Sequence, residues 1–247
     1  MDIVLGRDAL EPARTGAAVT VGTFDGVHLG HRALIAETVA TARDSGLEAV
    51  GVTWDRHPAR TLRPDKAPPM LSSQERKIEL LGETGLDRLA VLVFDDELSH
   101  VAAPDFVQSI LLSGLGMRHI VSGARWRFGH KAAGTVDLLT DLGPRCGFAV
   151  TAMELATLDG EPVSSSRTRR VVADGDMELA TRLLGRPFDV DGEVVHGDDR
   201  GARLGFPTAN LALDPTLVTP KRGVYAGQAR VDGTWHAAAT NVGVNPT

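Results

Sequence analysis

A disulfide framework is excluded at the outset: the 247-residue chain has a single cysteine, Cys146, and an internal bridge needs two. An oxidising compartment is therefore not required. Positive charge is not in excess either. The formal net charge is −6, which argues against a broad nucleic-acid footprint and leaves any bound anion to local cations or helix termini. No apolar run approaches the roughly 18 residues needed to cross a bilayer. The N-terminus lacks the basic segment and apolar stretch of a secretory signal. Internal repeats and low-complexity tracts are missing as well. Together these absences predict a soluble cytoplasmic protein with neither nucleic acid nor membrane as partner, and they leave the oligomeric state open.

What is present is enough for a sizeable core, since 43% of residues are hydrophobic. The length suits one large domain or two modest ones. The 27 glycines and 13 prolines point to turns and backbone-lined sites rather than disorder. Strand and helix patterns alternate through the first 180 or so residues. Ala17–Gly22 reads as a buried strand and Leu29–Ser45 as a helix, with Leu34, Ile35, Val39 and Ala42 on one face and Gly46 at its end. Glu48–Trp54, Arg88–Phe94, Arg118–Ser122 and Phe148–Met153 read as further strands. Pro58, Pro64, Pro68 and Pro69 predict an irregular loop. Ser72 with Glu75 suggests a capping box for a helix ending near Gly85. Pro104 suits the first turn of a helix to about Leu112, and Thr135–Leu142 reads as another. Strands without strict alternation, separated by helices, imply a parallel sheet covered on both faces. After Arg186-Pro187 the text becomes strand-like and turn-rich, in Phe188–Val195, Tyr225–Val231 and Trp235–Ala239. Two domains are predicted: residues 1–183, α/β with a parallel sheet, and 187–247, rich in strands and turns.

The candidate chemistry lies where the first strong strand ends, in Val19–His31, VTVGTFDGVHLGH. Gly22 and Gly26 let the backbone come close to a ligand. His28 and His31 sit three residues apart as a helix begins, and so share a face of its first turn. Backbone N–H groups, a helix dipole and two imidazoles around one point suit the phosphates of a nucleotide. Nucleotidyl transfer to an anionic acceptor needs positioning and electrostatic stabilisation rather than a protein nucleophile. A zinc pair is the competing reading, but no further ligand set is visible. Later, Ser164, Ser165 and Ser166 precede a short helix, where hydroxyls and free N–H groups cap the helix or bind phosphate, and Arg169 adds a planar fork.

Residues 19–35 resemble the opening of the bacterial FAD synthetase module, the FMN adenylyltransferase half of bifunctional riboflavin kinase/FAD synthetases. Val52–Pro58, with its His57-Pro58 turn, is similar to that family's second segment; Ser122–Gly129 resembles the third, and Val163–Arg169 the last. Order and approximate spacing agree for all four. The resemblance implies adenylyl transfer from ATP to FMN with Mg²⁺, giving FAD and pyrophosphate. It gives His28, His31 and Arg169 catalytic roles; assigns Gly22, Thr23, Phe24, Gly26 and Ser164–Ser166 to ATP; and assigns His57, Gly123, Arg125 and Phe128 to a flavin or nucleotide loop. Arg125 departs from the Asn or Asp usual in the family. It leaves open a nucleotidyltransferase with another acceptor, or a non-catalytic flavin- or nucleotide-binding protein.

Gly201–Leu211, GARLGFPTANL, with Gly223–Ala226 and Asn241–Thr247, resembles the riboflavin kinase module. The two likenesses imply a Rossmann-like nucleotidyltransferase domain followed by a partial antiparallel β-barrel, with ATP and Mg²⁺ contacts at Gly205, Thr208 and Asn210 and with Thr208 and Asn210 as oxygen ligands of the metal. The family continues past these motifs with further strands, a helix and an acidic general base. The expectation is that these 247 residues phosphorylate riboflavin inefficiently.

Overall fold

The computed structural model describes residues 1–196, 205 and 208–243. In chain order the elements are β1 (Asp2–Leu5), β2 (Ala17–Val21), α1 (Leu29–Ser45), β3 (Glu48–Trp54), α2 (Pro58–Leu62), α3 (Gln74–Gly82), β4 (Arg88–Leu92), α4 (Asp96–Ser99) and α5 (Ala103–Asp105). The last runs into a π-helical stretch, Phe106–Gly114, followed by β5 (Met117–Gly123), α6 (Val136–Cys146), β6 (Ala149–Met153), β7 (Thr157–Leu158), β8 (Glu161–Pro162), α7 (Ser165–Asp174) and α8 (Met177–Leu184). The second region holds β9 (Glu193–Val195), β10 (Asn210–Ala212), β11 (Gly223–Val231) and β12 (Thr234–Val242).

Six strands form one sheet in the order β1-β4-β3-β2-β5-β6, and every pairing in it is parallel. β2 is buried along its whole length. Its residues alternate between two cores. Ala17, Val19 and Val21 join Val50, Val52, Trp54, Ala90 and Leu92 beneath the π-helical stretch and α6, whereas Ala18 joins Ala49, Leu89 and Val91 beneath α1 and α3. Apolar residues on both faces of each strand therefore follow from burial on both sides. From β2 the chain builds outward one way through β3 and β4, then returns to place β5 and β6 on the other side. The crevice beyond the carboxyl ends of β2 and β5 is thus the topological switch point, where such sheets bind ligands.

Several local expectations are corrected. β1 went unread because it is an edge strand of only four residues, and its short apolar run Ile3-Val4-Leu5 is mostly exposed. The proline-rich segment is not wholly irregular: Pro58 opens α2 and Pro64 opens a 3₁₀ turn, each at a first helical position where a missing N–H costs nothing. The N-cap of α3 is Ser73, whose hydroxyl accepts from the N–H of Arg76 at 3.2 Å. Ser72 turns inward instead, its hydroxyl accepting from the N–H of Gly26 at 3.4 Å.

The second region is antiparallel. β9 pairs with β10, and β11 with β12 across an Asp232-Gly233 turn in which both residues have positive φ, 47° and 82°. That is the Asp-Gly chemistry of a tight hairpin. Among the described residues these strands pair only two by two. The region touches the first domain where Met70 bridges to Leu217, with Met70 N–H donating to Thr216 O and Val218 N–H to Met70 O, both at 2.8 Å. Of the kinase-like motif, Gly201–Leu204 and Phe206-Pro207 lie outside the described residues, as does Val244–Thr247.

Candidate active site

After β2 the chain makes a tight turn in which Phe24 (φ 49°), Gly26 (φ 75°) and Val27 (φ 41°) are left-handed. His28 is the N-cap of α1, its Nδ1 accepting from the N–H of His31 at 3.3 Å. The cap leaves the ring's own N–H on Nε2. The two imidazoles stack with centroids 3.6 Å apart and planes 18° from parallel. Phe24, fully buried, meets the His31 ring edge-on at 5.3 Å. Gly30 leaves room for the stack, since a Cβ there would lie 3.2 Å from the His28 ring.

These rings open onto a cavity of about 250 Å³ at the ends of β2, β5 and β6. His28, Gly30, His31, Gly123, Met153, Glu154, Ser164 and Ser165 are among its lining. Its position is the switch point of the sheet, and α7 aims its N-terminus at it. Ser164 caps α7, its hydroxyl accepting from Arg167 N–H at 3.2 Å. Ser165 donates to the Asp25 carbonyl at 3.1 Å, and Ser166 is exposed. A larger open groove of about 560 Å³ lies between the proline-rich segment and Pro215-Thr216, but Arg60 is the one ionisable residue in its lining. The smaller cavity has the chemistry.

Behind the turn sits Asp25, 1% exposed, which the sequence reading passed over. One carboxylate oxygen accepts from Leu71 N–H at 2.8 Å and the other from Arg169 Nη2 at 2.7 Å. The pair fixes Arg169 beside the histidines without making it part of the cavity lining. Burial, and then the positive field of Arg169, pushes His28 down to about 4. His31 is driven well below the ordinary imidazole value by burial, then by His28, Arg169 and Lys77. Both rings are therefore neutral at pH 7 and offer N–H groups rather than fixed cations. His57 caps α2 through Nδ1, accepting from Ala59 N–H at 3.0 Å. Burial and Arg169 lower its pKa too, while Asp25 raises it.

Lys77 was also missed. Its ammonium, 1% exposed, donates to the Trp54 carbonyl at 2.7 Å, at the carboxyl end of β3. Burial pushes it down to about 8 against the pull of Asp25 and Asp55. A signal existed: Lys77 shares the apolar face of α3 with Leu80 and Leu81, at helical spacing. For Asp25 the signal was weaker, a carboxylate between Phe24 and a buried glycine.

The remaining predicted positions scatter. Thr23 accepts through its carbonyl from Thr53 Oγ1 at 3.2 Å, and Gly22 N–H bonds Val52 O at 3.0 Å, so both hold the turn to β3. Gly26 is buried against Leu71, 2.8 Å from where its Cβ would be. Phe128 is 7% exposed and packs on Trp126 and Phe106 in the core, away from the cavity. Arg125 is exposed. In the second region Gly205 and Thr208 are exposed, and Asn210 opens β10 opposite Val195.

A six-stranded parallel sheet with a glycine turn, a paired imidazole stack and a helix N-terminus at its switch point defines a Rossmann-like nucleotidyltransferase. Family comparison makes this specific. Residues 10–167 match the model of FAD synthetase and 184–247 that of riboflavin kinase. The bifunctional riboflavin kinase/FMN adenylyltransferase of Pseudomonas fluorescens is 38% identical over 247 residues, all of this chain and 79% of that protein. Those of Bacillus subtilis (35%, covering 94% and 73%) and Escherichia coli K12 (34%, covering 100% and 79%) are similar. The chain belongs to the bifunctional riboflavin kinase/FMN adenylyltransferase family. A solved structure named as a macrolide-efflux protein from Streptococcus pneumoniae superimposes with TM-score 0.88 at 27% identity, covering all of this chain and 81% of that one. That name speaks of efflux, but no helix among the described residues is long and apolar enough to cross a membrane.

Proposed function

We propose that the protein transfers AMP from ATP to FMN, forming FAD and releasing pyrophosphate, with a riboflavin kinase module attached. The observation that carries this reading is the neutral His28–His31 stack on the cavity wall, faced by the N-terminus of α7 and backed by the Asp25–Arg169 pair. In the reaction an oxygen of the FMN phosphate attacks the α-phosphorus of ATP. The bond from that phosphorus to the bridging oxygen breaks, and the electron pair leaves with pyrophosphate. The acceptor arrives as an anion, so no base is needed to activate it.

Each group then has a task set by its surroundings. His28 presents Nε2–H, its Nδ1 being engaged with the helix, and donates to the triphosphate as charge builds on the departing oxygens. His31, braced by Phe24, does the same from the same helical turn. Neutral donors suit this work because they strengthen as negative charge develops and do not trap the ground state. Ser164, Ser165 and the α7 N–H groups supply further donors, and Arg169 places a fixed cation beside them. Gly123 lines the same cavity, and the family resemblance assigns His57 to the flavin or nucleotide side.

Mg²⁺ enters this scheme with ATP. Such an ion is held mostly by phosphate oxygens and water, with one or two protein oxygens at most. The described residues contain no group of three or more His, Cys, Asp or Glu placed so that it could hold a metal ion, which fits a metal carried by the nucleotide. It would supply charge neutralisation on the triphosphate. In the kinase module, Thr208 and Asn210 have the hydroxyl and amide oxygens that a hard cation accepts. The direct test supplies FMN, ATP and Mg²⁺, and separately riboflavin, ATP and Mg²⁺. FAD and pyrophosphate are expected in equal amounts from the first mixture. FMN formation from the second mixture tests the kinase module. Pyrophosphate appearing only with a different acceptor would refute the FMN assignment.

A further inference from the structure

We infer that Arg186, which follows the transferase fold in the chain, is a positioning residue for adenylyl transfer, clamping the strained turn that carries His28. The inference rests on the reading given above for the cavity. Three of the four residues Phe24–Val27 are left-handed, and one of them, Val27, is β-branched and fully buried. A β-branched residue there is a genuine outlier. Such strain persists only where the surroundings over-determine it, and it clusters at functional sites.

The surroundings can be enumerated. Val27 N–H bonds Phe24 O at 3.1 Å within the turn. Ser72, Leu71, Ser165 and Arg169 hold Asp25 and the Gly26 N–H, as described above. The Gly26 carbonyl, two residues before His28, accepts from Arg186 Nη1 at 3.2 Å. The first four side chains or amides come from residues 71–72 and 165–169, which belong to the transferase domain as predicted from sequence. Arg186 lies in the stretch matched as riboflavin kinase.

Its placement is built in. Gly185 ends α8 with φ 72°, and a Cβ there would fall 2.6 Å from Leu29 Cδ2, so α8 closes directly on the first residue of α1. Arg186 is thereby delivered to the turn, with its side chain 13% exposed. Its Nη2 donates to Asp189 Oδ1 at 3.3 Å, and Asp189 Oδ2 accepts from Arg76 Nε at 2.6 Å on α3. Asp191 accepts from Ser73 at the start of that helix, at 2.7 Å. The linker between the two regions is therefore strapped to α3, and one guanidinium spans from the strap to the phosphate turn. Burial, with Arg76 and Arg32 close by, works against the charge of Arg186, while Asp189 supports it. An apolar side chain would fill this place without that penalty, but it could not hold Gly26 O.

The experiment compares wild-type full chain with Arg186→Met, Arg186→Lys and Asp189→Asn. Amide exchange over residues 22–31 is followed without ligand, and kcat and KM are measured for FAD formation. In Arg186→Met, exchange in the turn is expected to rise roughly tenfold while β3 and β4 keep their protection. Its kcat is expected to fall about 10- to 100-fold, with KM for ATP moving far less, as for a misplaced reacting group. Lysine cannot bridge carbonyl and carboxylate as a fork does, so Arg186→Lys should fall between. Unchanged exchange overturns the inference, as does a faster turn with unchanged kcat, or a uniform loss of protection through β3 and β4. Should Arg186→Met fail to fold, Asp189→Asn decides by the same readouts, with a smaller shift in the same direction expected and no shift overturning the inference. A wild-type chain that makes no FAD refutes the proposed function instead, and the exchange comparison still decides the role of Arg186.

Discussion

At the rim of the parallel sheet polar groups are buried and tied down; on the C-terminal hairpin apolar groups stand in solvent. Asp25, His28 and Lys77 are each under 5% exposed, yet every one has a named partner. Val224, Val231 and Trp235, by contrast, are 75%, 56% and 58% exposed. Burial of charge is expensive and is tolerated where it prepares a site. The contrast teaches that the rim of the sheet buries polar groups only with partners, whereas the described hairpin of the kinase-like region presents apolar faces to solvent. Function on the first side is a matter of electrostatics held rigid; on the second it depends on how those faces are covered.

Four measurements break or sharpen this contrast. The largest effect is expected at the stack: His28→Ala and His31→Ala should each lower kcat for FAD formation by about 10²- to 10³-fold, as for loss of one preorganised donor. Near-normal turnover in either would show that the rim's buried polarity is structural. Next comes Asp25→Asn, which leaves Arg169 inside with no counter-charge. A loss of about 3 kcal/mol in unfolding free energy is expected from denaturant titration, as for a broken buried pair.

Third is a dependence on pH. His28 titrates near 4 when folded and at its ordinary 6.5 when unfolded. Between those values the unfolded chain binds a proton that the folded chain refuses, so stability falls as pH drops below 6.5 and is flat above it. At pH 5 the shift amounts to about 2 kcal/mol relative to pH 7. His31 adds to it in the same direction. In His28→Gln the unfolding midpoint should lose part of this slope, and an unaltered slope would show that the ring is not neutral in the fold. The smallest effect is expected on the hairpin. Trp235→Ser should change FAD formation and unfolding free energy by less than about 0.5 kcal/mol, as for an exposed position. A large loss of FAD synthesis there would mean that the exposed hairpin itself bears on adenylyl transfer.

Much of the first region was legible because its signals are local. Leu29–Ser45 and Glu48–Trp54 run to the residue, since apolar spacing and a terminal Gly46 mark them without reference to anything distant. The serines at 164–166 announced their helix as hydroxyl caps, and Ser164 is the cap. Where the reading slipped, the competing cause was tertiary. Ser72 and Ser73 are interchangeable as caps in sequence, and Gly26, 46 residues away, claimed the first. Phe128 sits in a motif, but the void between Phe106 and Trp126 decided its direction.

Motif order and periodicity, read along the chain, were sufficient for the α/β class, the glycine turn after β2 and the pairing of His28 with His31, because these depend largely on residues close in sequence. Tertiary structure alone decided that both imidazoles are neutral, that Asp25 holds Arg169, that Lys77 lies buried beneath β3, and that Arg186 reaches back 160 residues to Gly26. Protonation and charge pairing are set by what lies within a few ångströms in space, and the linear text does not order residues by that distance.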